Sequence, residues 1–298
     1  MKKQKAMQPP LGASLVVFSS LIYASYGVWI VLMGDSFGGF IQAVLRSSLV
    51  IIFLLPIALW RKELSKIHWR RDAWLLAGQL ISSLLIAAPL YYAVLKVGVG
   101  LGMGVNYAGI VLGAFLFGWL LNKERYTRNK WLSTALGILG LWLVFTPNLE
   151  TLGFLTMGAA LLSGLASGLN MVVNKKLNYS ASQTAIMTWA ATALANIPFV
   201  LLLNEQIPEI SINWIYLVLF AIASLAASWT LITGLKLIEA GAAGILGLLE
   251  IVFGIVYGIV FFKEQPSILS LLGMAAIMAA AAIPYIQHYN SRKGTVDG

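Results

Sequence analysis

The residue of this chain best suited to chemistry is a single glutamate inside a long apolar segment. The segment Gly241–Phe262 contains five glycines and one acidic or basic side chain, that of Glu250. About 20 apolar residues cross the hydrocarbon core of a membrane at a helical rise of about 1.5 Å per residue. Glu250 would then lie near the midplane, where a charge is costly unless it meets a partner, a cavity or a transport route. Glu250 is therefore the first candidate for binding a substrate or a proton.

A second ionisable residue, Arg46, falls inside another apolar segment. Counted from the outer ends of their predicted helices, Arg46 and Glu250 differ in depth by about five residues, or about 7 Å. A guanidinium side chain can bridge that offset, so the two residues are candidates for an ion pair. Two roles stay open: a clamp between two helices, or a site that contacts a substrate or a coupling proton.

Other polar and aromatic side chains lie at similar depth. Tyr23 is near the middle of the first apolar segment, and Asn106 and Tyr107 are near the middle of the fourth. Trp189 and Trp229 lie deeper than the other tryptophans, which sit close to segment ends as an interfacial belt would. Helix packing is an open alternative for Asn106 and for both tryptophans. The substrate-binding or coupling candidates are Glu250, Arg46, Asn106, Tyr107, Tyr23, Trp189 and Trp229.

Composition indicates a membrane protein. Of 298 residues, 59% are hydrophobic and 10% are charged, and the mean hydropathy is +0.85, which is too apolar for a soluble domain of this length. The sequence has no cysteine and two histidines, so we expect no metal site and no cofactor. It has neither a catalytic set of the intramembrane enzymes nor a phosphate-binding loop, which argues against an enzyme and against an ATP-driven pump.

Ten apolar segments predict ten membrane-spanning helices. They are Gly12–Leu32, Gly39–Trp60, Ala73–Ala93, Val97–Leu121, Trp131–Phe145, Leu152–Val173, Gln183–Asn204, Trp214–Leu235, Gly241–Phe262 and Ile268–Gln287. A signal peptide is the rival interpretation of the first segment, but its apolar run of about 21 residues is longer than a signal core. The connecting loops are short, so we expect no soluble domain.

The basic residues predict the orientation in the membrane. With ten spans, seventeen Lys and Arg residues fall on the side of the two termini, whereas Lys96 and Lys263 fall on the other. The positive-inside rule then places both termini in the cytoplasm of a multi-pass protein of the cytoplasmic membrane. The formal charge of +9 thus reflects topology, and we expect no nucleic-acid partner. The seventeen are Lys2, Lys3, Lys5, Arg61, Lys62, Lys66, Arg70, Arg71, Lys123, Arg125, Arg128, Lys130, Lys175, Lys176, Lys236, Arg292 and Lys293.

The second half of the chain resembles the first when the two are aligned at one constant offset. That offset aligns Lys96 with Lys236, Gly104 with Gly244, Gly118 with Gly258, and Lys123-Glu124 with Lys263-Glu264. Five spans per copy is an odd number, so the second copy enters the membrane from the opposite side. The predicted fold is an all-α membrane protein of ten transmembrane helices in two inverted five-helix repeats, residues 12–146 and 152–287, with cytoplasmic tails at 1–11 and 288–298.

These stretches resemble a known family. Tyr91–Thr127 and Leu237–Ser267 are similar to the EamA-type transporters of the drug/metabolite transporter superfamily, whose repeats typically end a helix in a Gly-Glu-Arg-like turn. Arg46 lies where the family commonly has an arginine, and Glu250 matches the acid of its Leu-Glu-Pro segment. The family's Trp-Gly pair in the first span is Tyr23-Ala24 here. The resemblance implies a ten-helix bundle with a central cavity shared by the two repeats.

Two departures concern helix flexibility. The family's prolines fall on Val111 and Ile251, so Gly109, Gly113 and Gly254 would have to supply any flexibility that proline would otherwise favour.

The resemblance implies secondary transport of a small organic solute by alternating access. Export of an amino acid or another metabolite is the expected direction. A nutrient uptake permease and a cationic drug efflux protein are the alternatives, followed by a non-transporting receptor or scaffold. Expected partners are the solute, a coupling proton and membrane lipid. Small residues in the last span of each repeat, Ser133, Gly137, Gly140 and the run Ala279–Ala282, also suggest a homodimer.

Overall fold

The computed structural model describes residues 9–145 and 153–293, and all regular secondary structure in this part of the chain is helical. Residues 1–8 and 294–298 of the predicted tails and the segment 146–152 between the predicted repeats lie outside it. The helices are α1 Pro9–Ala24, α2 Tyr26–Met33, α3 Gly39–Trp60, α4 Trp69–Asn122, α5 Arg128–Phe145, α6 Phe154–Lys176, α7 Ala181–Leu202, α8 Asn213–Leu235, α9 Ala240–Gly247, α10 Leu249–Phe262 and α11 Ile268–Lys293.

Eight helical segments of the described residues are long and apolar enough to cross a membrane. α1 with α2 forms one, α4 forms two, α9 with α10 forms one, and α3, α6, α7 and α8 form one each. α5 is not among the eight, and the apolar part of α11, Ile268–Ile283, is shorter. The chain is a multi-pass membrane protein, and the fifth and tenth predicted spans, which correspond to α5 and α11, stay a prediction.

α4 is one run of 54 helical residues, but it is not a straight rod. A methyl group added at Gly102 would lie 3.3 Å from the backbone nitrogen of Val94, whereas eight residues of straight helix cover about 12 Å. The chain therefore folds back between these residues. Trp69–Lys96 and Gly102–Asn122 are separate spanning segments, in agreement with the two segments predicted from the sequence.

Glycines bring α4 and α6 into close contact. A methyl group added at Gly109 or at Gly113 would lie 2.7 Å from a carbonyl oxygen of α6. The facing glycines, Gly164 and Gly168, would meet the α4 backbone just as closely. Pairs of small residues four positions apart let two helices approach at backbone distance. In this packing, the role of Gly109 and Gly113 is to allow close contact between the two helices, and not the flexibility that was predicted for them.

α5 packs against α11 of the same chain. A methyl group added at Gly140 would lie 2.8 Å from the carbonyl oxygen of Gly273, and one at Gly137 would lie 3.7 Å from Ala280. Part of the small-residue faces that suggested a homodimer therefore packs within one chain, whereas Ala279 and Ala282 are exposed. The homodimer stays a prediction.

The turns that end equivalent helices have the same backbone geometry. After α3 and after α7, the N–H groups of Glu63 and Glu205 donate to carbonyl groups five residues earlier, at 2.9 and 3.0 Å. After α4 and after α10, Lys123 and Lys263 adopt left-handed conformations with φ of 55° and 57°. The members of the two pairs have nearly the same separation in the sequence, so the second half repeats local structure of the first half.

The equivalent helices α3 and α7 lie side by side and run antiparallel. Glu205, just after α7, accepts hydrogen bonds from the N–H groups of Phe40 at 3.1 Å and Ile41 at 2.6 Å, in the first turn of α3. Glu63, just after α3, accepts a hydrogen bond from Ser182, in the first turn of α7. Each helix therefore begins where the other ends.

Candidate functional site

A cavity of about 320 Å³ lies between helices of both halves of the chain. Its walls come from α1, α3, α4, α6, α7, α8, α9 and α10. Five of the seven candidate residues line it, namely Tyr23, Arg46, Tyr107, Trp189 and Glu250. The structure thus brings together most of the residues that were selected by depth.

Glu250 lies in the first turn of α10, just after an interruption of the helix at Leu248. There the N–H of Leu248 donates to the carbonyl of Ile245, and the N–H of Ile251 to that of Leu248, both at 3.1 Å. This three-residue spacing is typical of a tight 3₁₀ turn. The backbone of Leu248 stays right-handed helical, with φ of −61° and ψ of −22°, and Ala240–Phe262 is one spanning segment. The ninth predicted span therefore contains a local tightening of the helix, although it has no proline. The Tyr107 hydroxyl is the polar neighbour of the Glu250 carboxyl.

A second interruption lies beside Tyr23. The N–H of Ser25 donates to the carbonyl of Ile22 at 3.0 Å, and its hydroxyl donates to the same oxygen at 2.6 Å. Serine can end a helix in this way because its side chain competes for backbone groups. The Tyr257 hydroxyl of α10 donates to the carbonyl of Leu21 at 3.2 Å. α1 and α10, each of which adjoins one of these turns, therefore meet next to the cavity.

Arg46 is surrounded by aromatic rings. Its guanidinium carbon lies 4.2 Å from the ring centroid of Phe220, 5.1 Å from that of Tyr26 and 5.5 Å from that of Trp189. These distances fit cation–π attraction, which is stronger in a desolvated site. The buried Nε of Arg46 has no hydrogen-bond partner among the described residues.

Arg46 and Glu250 do not form an ion pair. The ion pairs within residues 9–145 and 153–293 involve other side chains: Arg61–Glu63, Arg71–Asp72, Lys130–Glu239 and Lys175–Glu124. Aromatic rings surround the guanidinium of Arg46, whereas the carboxyl of Glu250 lies near the Tyr107 hydroxyl. The cavity therefore contains two opposite charges that are held separately, and a clamp between these two residues is not present.

Asn106 and Trp229 do not line the cavity. The Asn106 amide donates to the Ser163 hydroxyl at 2.9 Å and so connects α4 to α6. The Trp229 indole donates to the Ser182 hydroxyl at 3.1 Å and so connects α8 to α7. Both residues therefore connect helices and do not face the cavity. Depth in the membrane could not predict this, because it does not fix the direction of a side chain around its helix.

A group of amide and hydroxyl side chains beside the cavity was not predicted from the sequence. Asn170 and Thr188 line the cavity, and Asn174 and Gln79 continue from them. The Gln79 amide donates to Asn174 at 2.9 Å and to Thr188 at 2.7 Å, and the Asn174 amide donates to Asn170 at 2.8 Å. The available signal was the spacing of Asn170 and Asn174, since residues four apart share a helix face.

One end of the bundle carries the loops after α3, α4, α6 and α8, and we call it the basic end. There the Glu124 carboxylate accepts hydrogen bonds from Lys175 at 2.6 Å and from the backbone N–H of Ala240 at 2.9 and 3.0 Å. The Tyr126 hydroxyl donates to it at 3.2 Å. Burial and the Glu124 carboxylate raise the pKa of Tyr126, so this phenol remains a neutral donor. Glu124 thus connects α4, α6 and α9.

The equivalent acid at the other end of the bundle is unbonded. Glu264 follows α10 as Glu124 follows α4, and its side chain is exposed. It forms no ion pair or side-chain hydrogen bond with the part of the chain that the structure describes. The two equivalent turns therefore differ in their contacts.

Comparison with protein-family models finds one family twice in the chain. The EamA-like transporter family matches residues 10–146 and again residues 154–285. The two matches together cover most of the sequence.

Several curated proteins are similar over most of their length. The uncharacterized transporter YwfM of Bacillus subtilis is 26% identical over 237 residues, covering 74% of this chain and 76% of that protein. An uncharacterized transporter of Helicobacter pylori is 22% identical over 282 residues, covering 91% and 93%. Human solute carrier family 35 member G1 is 21% identical over 296 residues, covering 93% and 80%.

A solved crystal structure shares the fold. It matches with a TM-score of 0.78 at 17% sequence identity, over 92% of this chain and 96% of that chain. At this level of identity the likeness concerns the arrangement of the helices alone.

Proposed function

The chain belongs to the EamA-like transporter family, and from this membership we propose that it is a secondary transporter of a small organic solute. We propose export of an amino acid or another metabolite through the cytoplasmic membrane. The names of the relatives point to transport rather than to catalysis. The observation that carries the proposal is the cavity between helices of both halves of the chain, which holds the side chains of Arg46 and Glu250 apart. A site between the two halves is typical of secondary transporters.

Ten spans in two inverted repeats are part of this proposal. The shared turn geometry, at nearly the same sequence separation for Glu63 with Glu205 and for Lys123 with Lys263, supports a repeat. The antiparallel arrangement of α3 and α7 supports inversion, because equivalent helices of inverted repeats cross the membrane in opposite directions. α5 and α11 would then be the fifth span of each repeat.

The two equivalent acids support alternating access. Glu124 connects the basic end through Lys175 and the start of α9, whereas the exposed Glu264 has no side-chain partner among the described residues. If the repeats exchange conformations, Glu264 becomes bonded in the other state and Glu124 is released. The described conformation is then the one closed at the basic end.

The charge distribution supports an orientation. The basic end carries the loops with Lys123, Lys175 and Lys236, and the rule that positive loops stay inside places this end in the cytoplasm. The conformation closed at the basic end is then closed to the cytoplasm.

Glu250 is the proposed coupling acid. It is the acidic side chain of the cavity wall, and Tyr107, Tyr23 and Arg46 are the other ionisable groups that line the described cavity. A carboxyl that contacts the cavity can exchange a proton with whichever side the cavity opens to. Proton exchange of this kind would couple solute movement to a pH gradient.

Counterflow tests the transport function without knowledge of the driving force. Proteoliposomes loaded with a mixture of unlabelled amino acids should transiently accumulate a labelled amino acid, and protein-free liposomes should not. Accumulation of labelled organic amines alone would support cationic drug efflux instead. Folded protein without counterflow of amino acids, sugars, vitamins or amines would contradict transport.

A further inference from the structure

The guanidinium of Arg46 keeps unused hydrogen-bond donors. Phe220, Tyr26 and Trp189 attract the cation through the faces of their rings, at 4.2, 5.1 and 5.5 Å, but a ring face does not replace the in-plane partners of a guanidinium. The Nε of Arg46 is buried without a hydrogen-bond partner in the described part of the chain. An arginine in this environment is suited to a planar anion.

No carboxylate of the described residues fills that role. Glu250 is the acidic side chain among the described lining residues, and its partner is Tyr107. Arg46 takes part in none of the ion pairs found in the described ranges. Because a buried charge without a partner is costly, the anion would have to arrive with the contents of the cavity.

We infer that the transported solute carries a carboxylate and that Arg46 binds it; this inference rests on the proposed transport function. A guanidinium matches a carboxylate through two parallel N–H···O bonds. A phosphate dianion fits less well, because Arg46 is the basic side chain among the described lining residues and Glu250 adds negative charge to the same cavity. The volume of about 320 Å³ restricts the solute to a small molecule.

Tyr26 and Phe220 are positioning residues for this site. Neither lines the cavity, and Phe220 is fully buried at 0% exposure. Their rings meet edge to face with centroids 4.5 Å apart. Trp189, which does line the cavity, is fixed by a hydrogen bond of 2.9 Å from its indole to the Ser228 hydroxyl. The three rings together hold Arg46 at the cavity wall and apart from Glu250.

Matched small molecules that differ in the carboxylate test the inference. We would measure binding to the purified full-length chain, from melting temperature against ligand concentration, for leucine and leucinamide, alanine and alaninamide, and succinate and succinamide. At least one carboxylate should bind about tenfold or more tightly than its amide, because charge-assisted bidentate hydrogen bonds are the strong ones. Equal binding within every pair, or no binding of any carboxylate, would overturn the inference.

Variants assign the preference to Arg46. Arg46→Met should abolish the carboxylate preference, and Phe220→Leu should weaken it although the arginine is still present. Arg125→Met removes an exposed arginine of the basic end and should leave the preference unchanged. If Arg46→Met does not fold, Arg46→Lys replaces it and should reduce the preference, because an ammonium cannot bind bidentately. A preference that survives in the Arg46 variant would overturn the inference.

Binding and counterflow separate this inference from the proposed function. A carboxylate preference in a protein that shows no counterflow would support the Arg46 site and contradict the transport function. Counterflow of solutes without any carboxylate preference would support transport and contradict the Arg46 site.

Discussion

Glu124 and Glu264 occupy equivalent positions in the two halves of the chain, but only one of them is bonded. The Glu124 carboxylate accepts a hydrogen bond of 2.6 Å from Lys175 and two from the backbone N–H of Ala240. Glu264 is exposed and bonded to none of the described side chains. The two matching turns therefore differ in the contacts of their acids.

The first prediction compares Glu124→Gln with Glu264→Gln. Glu124→Gln should lower the free energy of unfolding by about 1–3 kcal/mol, because it leaves Lys175 without its anion. Glu264→Gln should change that free energy by less than about 0.5 kcal/mol, as expected for an exposed side chain. Thermal unfolding of both purified variants checks this, and equal destabilisation of the two would contradict the asymmetry.

The second prediction concerns the inverted topology. The chain has no cysteine, so single cysteines at Arg125 and at Gln265, which are exposed and equivalent, can be labelled selectively. Arg125→Cys should react with an impermeant maleimide from the cytoplasmic side and Gln265→Cys from the outer side. Labelling of both from the same side would overturn the inverted-repeat proposal.

The third prediction tests the contact between α4 and α6. Gly164→Ala should destabilise the protein by about 1–3 kcal/mol, because the added methyl group meets backbone atoms of α4 and overpacking is costly. Gly254→Ala is the matched control, since an added methyl group there meets nothing within 4 Å. Its free energy of unfolding should stay equal to that of the parent or rise by up to about 1 kcal/mol. Equal melting temperatures for the two variants would contradict the close glycine packing.

The helices were largely predictable from the sequence, but their interruptions were not. Long apolar runs identify spanning segments because the membrane requires about 20 apolar residues. The tight turns at Ser25 and Leu248 have no proline. Each is formed by backbone hydrogen bonds between residues three apart, and the amino-acid composition does not show where such bonds form. The fold-back of α4 before Gly102 agrees with the sequence, which predicts one apolar segment ending at Ala93 and the next beginning at Val97, with Lys96 between them.

The sequence predicted the depth of the site residues in the membrane, but it did not predict the direction in which each side chain points. Tyr23, Arg46, Tyr107, Trp189 and Glu250 line one cavity, as a shared depth suggested. Asn106 and Trp229 lie at suitable depth as well, but their side chains bond to neighbouring helices. The aromatic surroundings of Arg46 and the amide group around Asn170 come from helices far apart in the sequence, so only the packing of the helices brings them together.

The proposed role of Glu250 as the carrier of a coupling proton has a direct test in reconstituted vesicles. Transport driven by an imposed pH gradient and solute exchange without a gradient would be measured in the same proteoliposomes for the parent, Glu250→Gln and Glu209→Gln. Glu209 is an exposed acid, so its variant should match the parent in both measurements.

For Glu250→Gln we predict that gradient-driven transport falls to the level of protein-free vesicles while exchange persists. Glutamine keeps the size of the side chain and an acceptor for Tyr107, but it cannot release a proton. Loss of both activities would assign Glu250 to solute binding instead, and gradient-driven transport with the pH dependence of the parent would contradict any role for Glu250 in coupling.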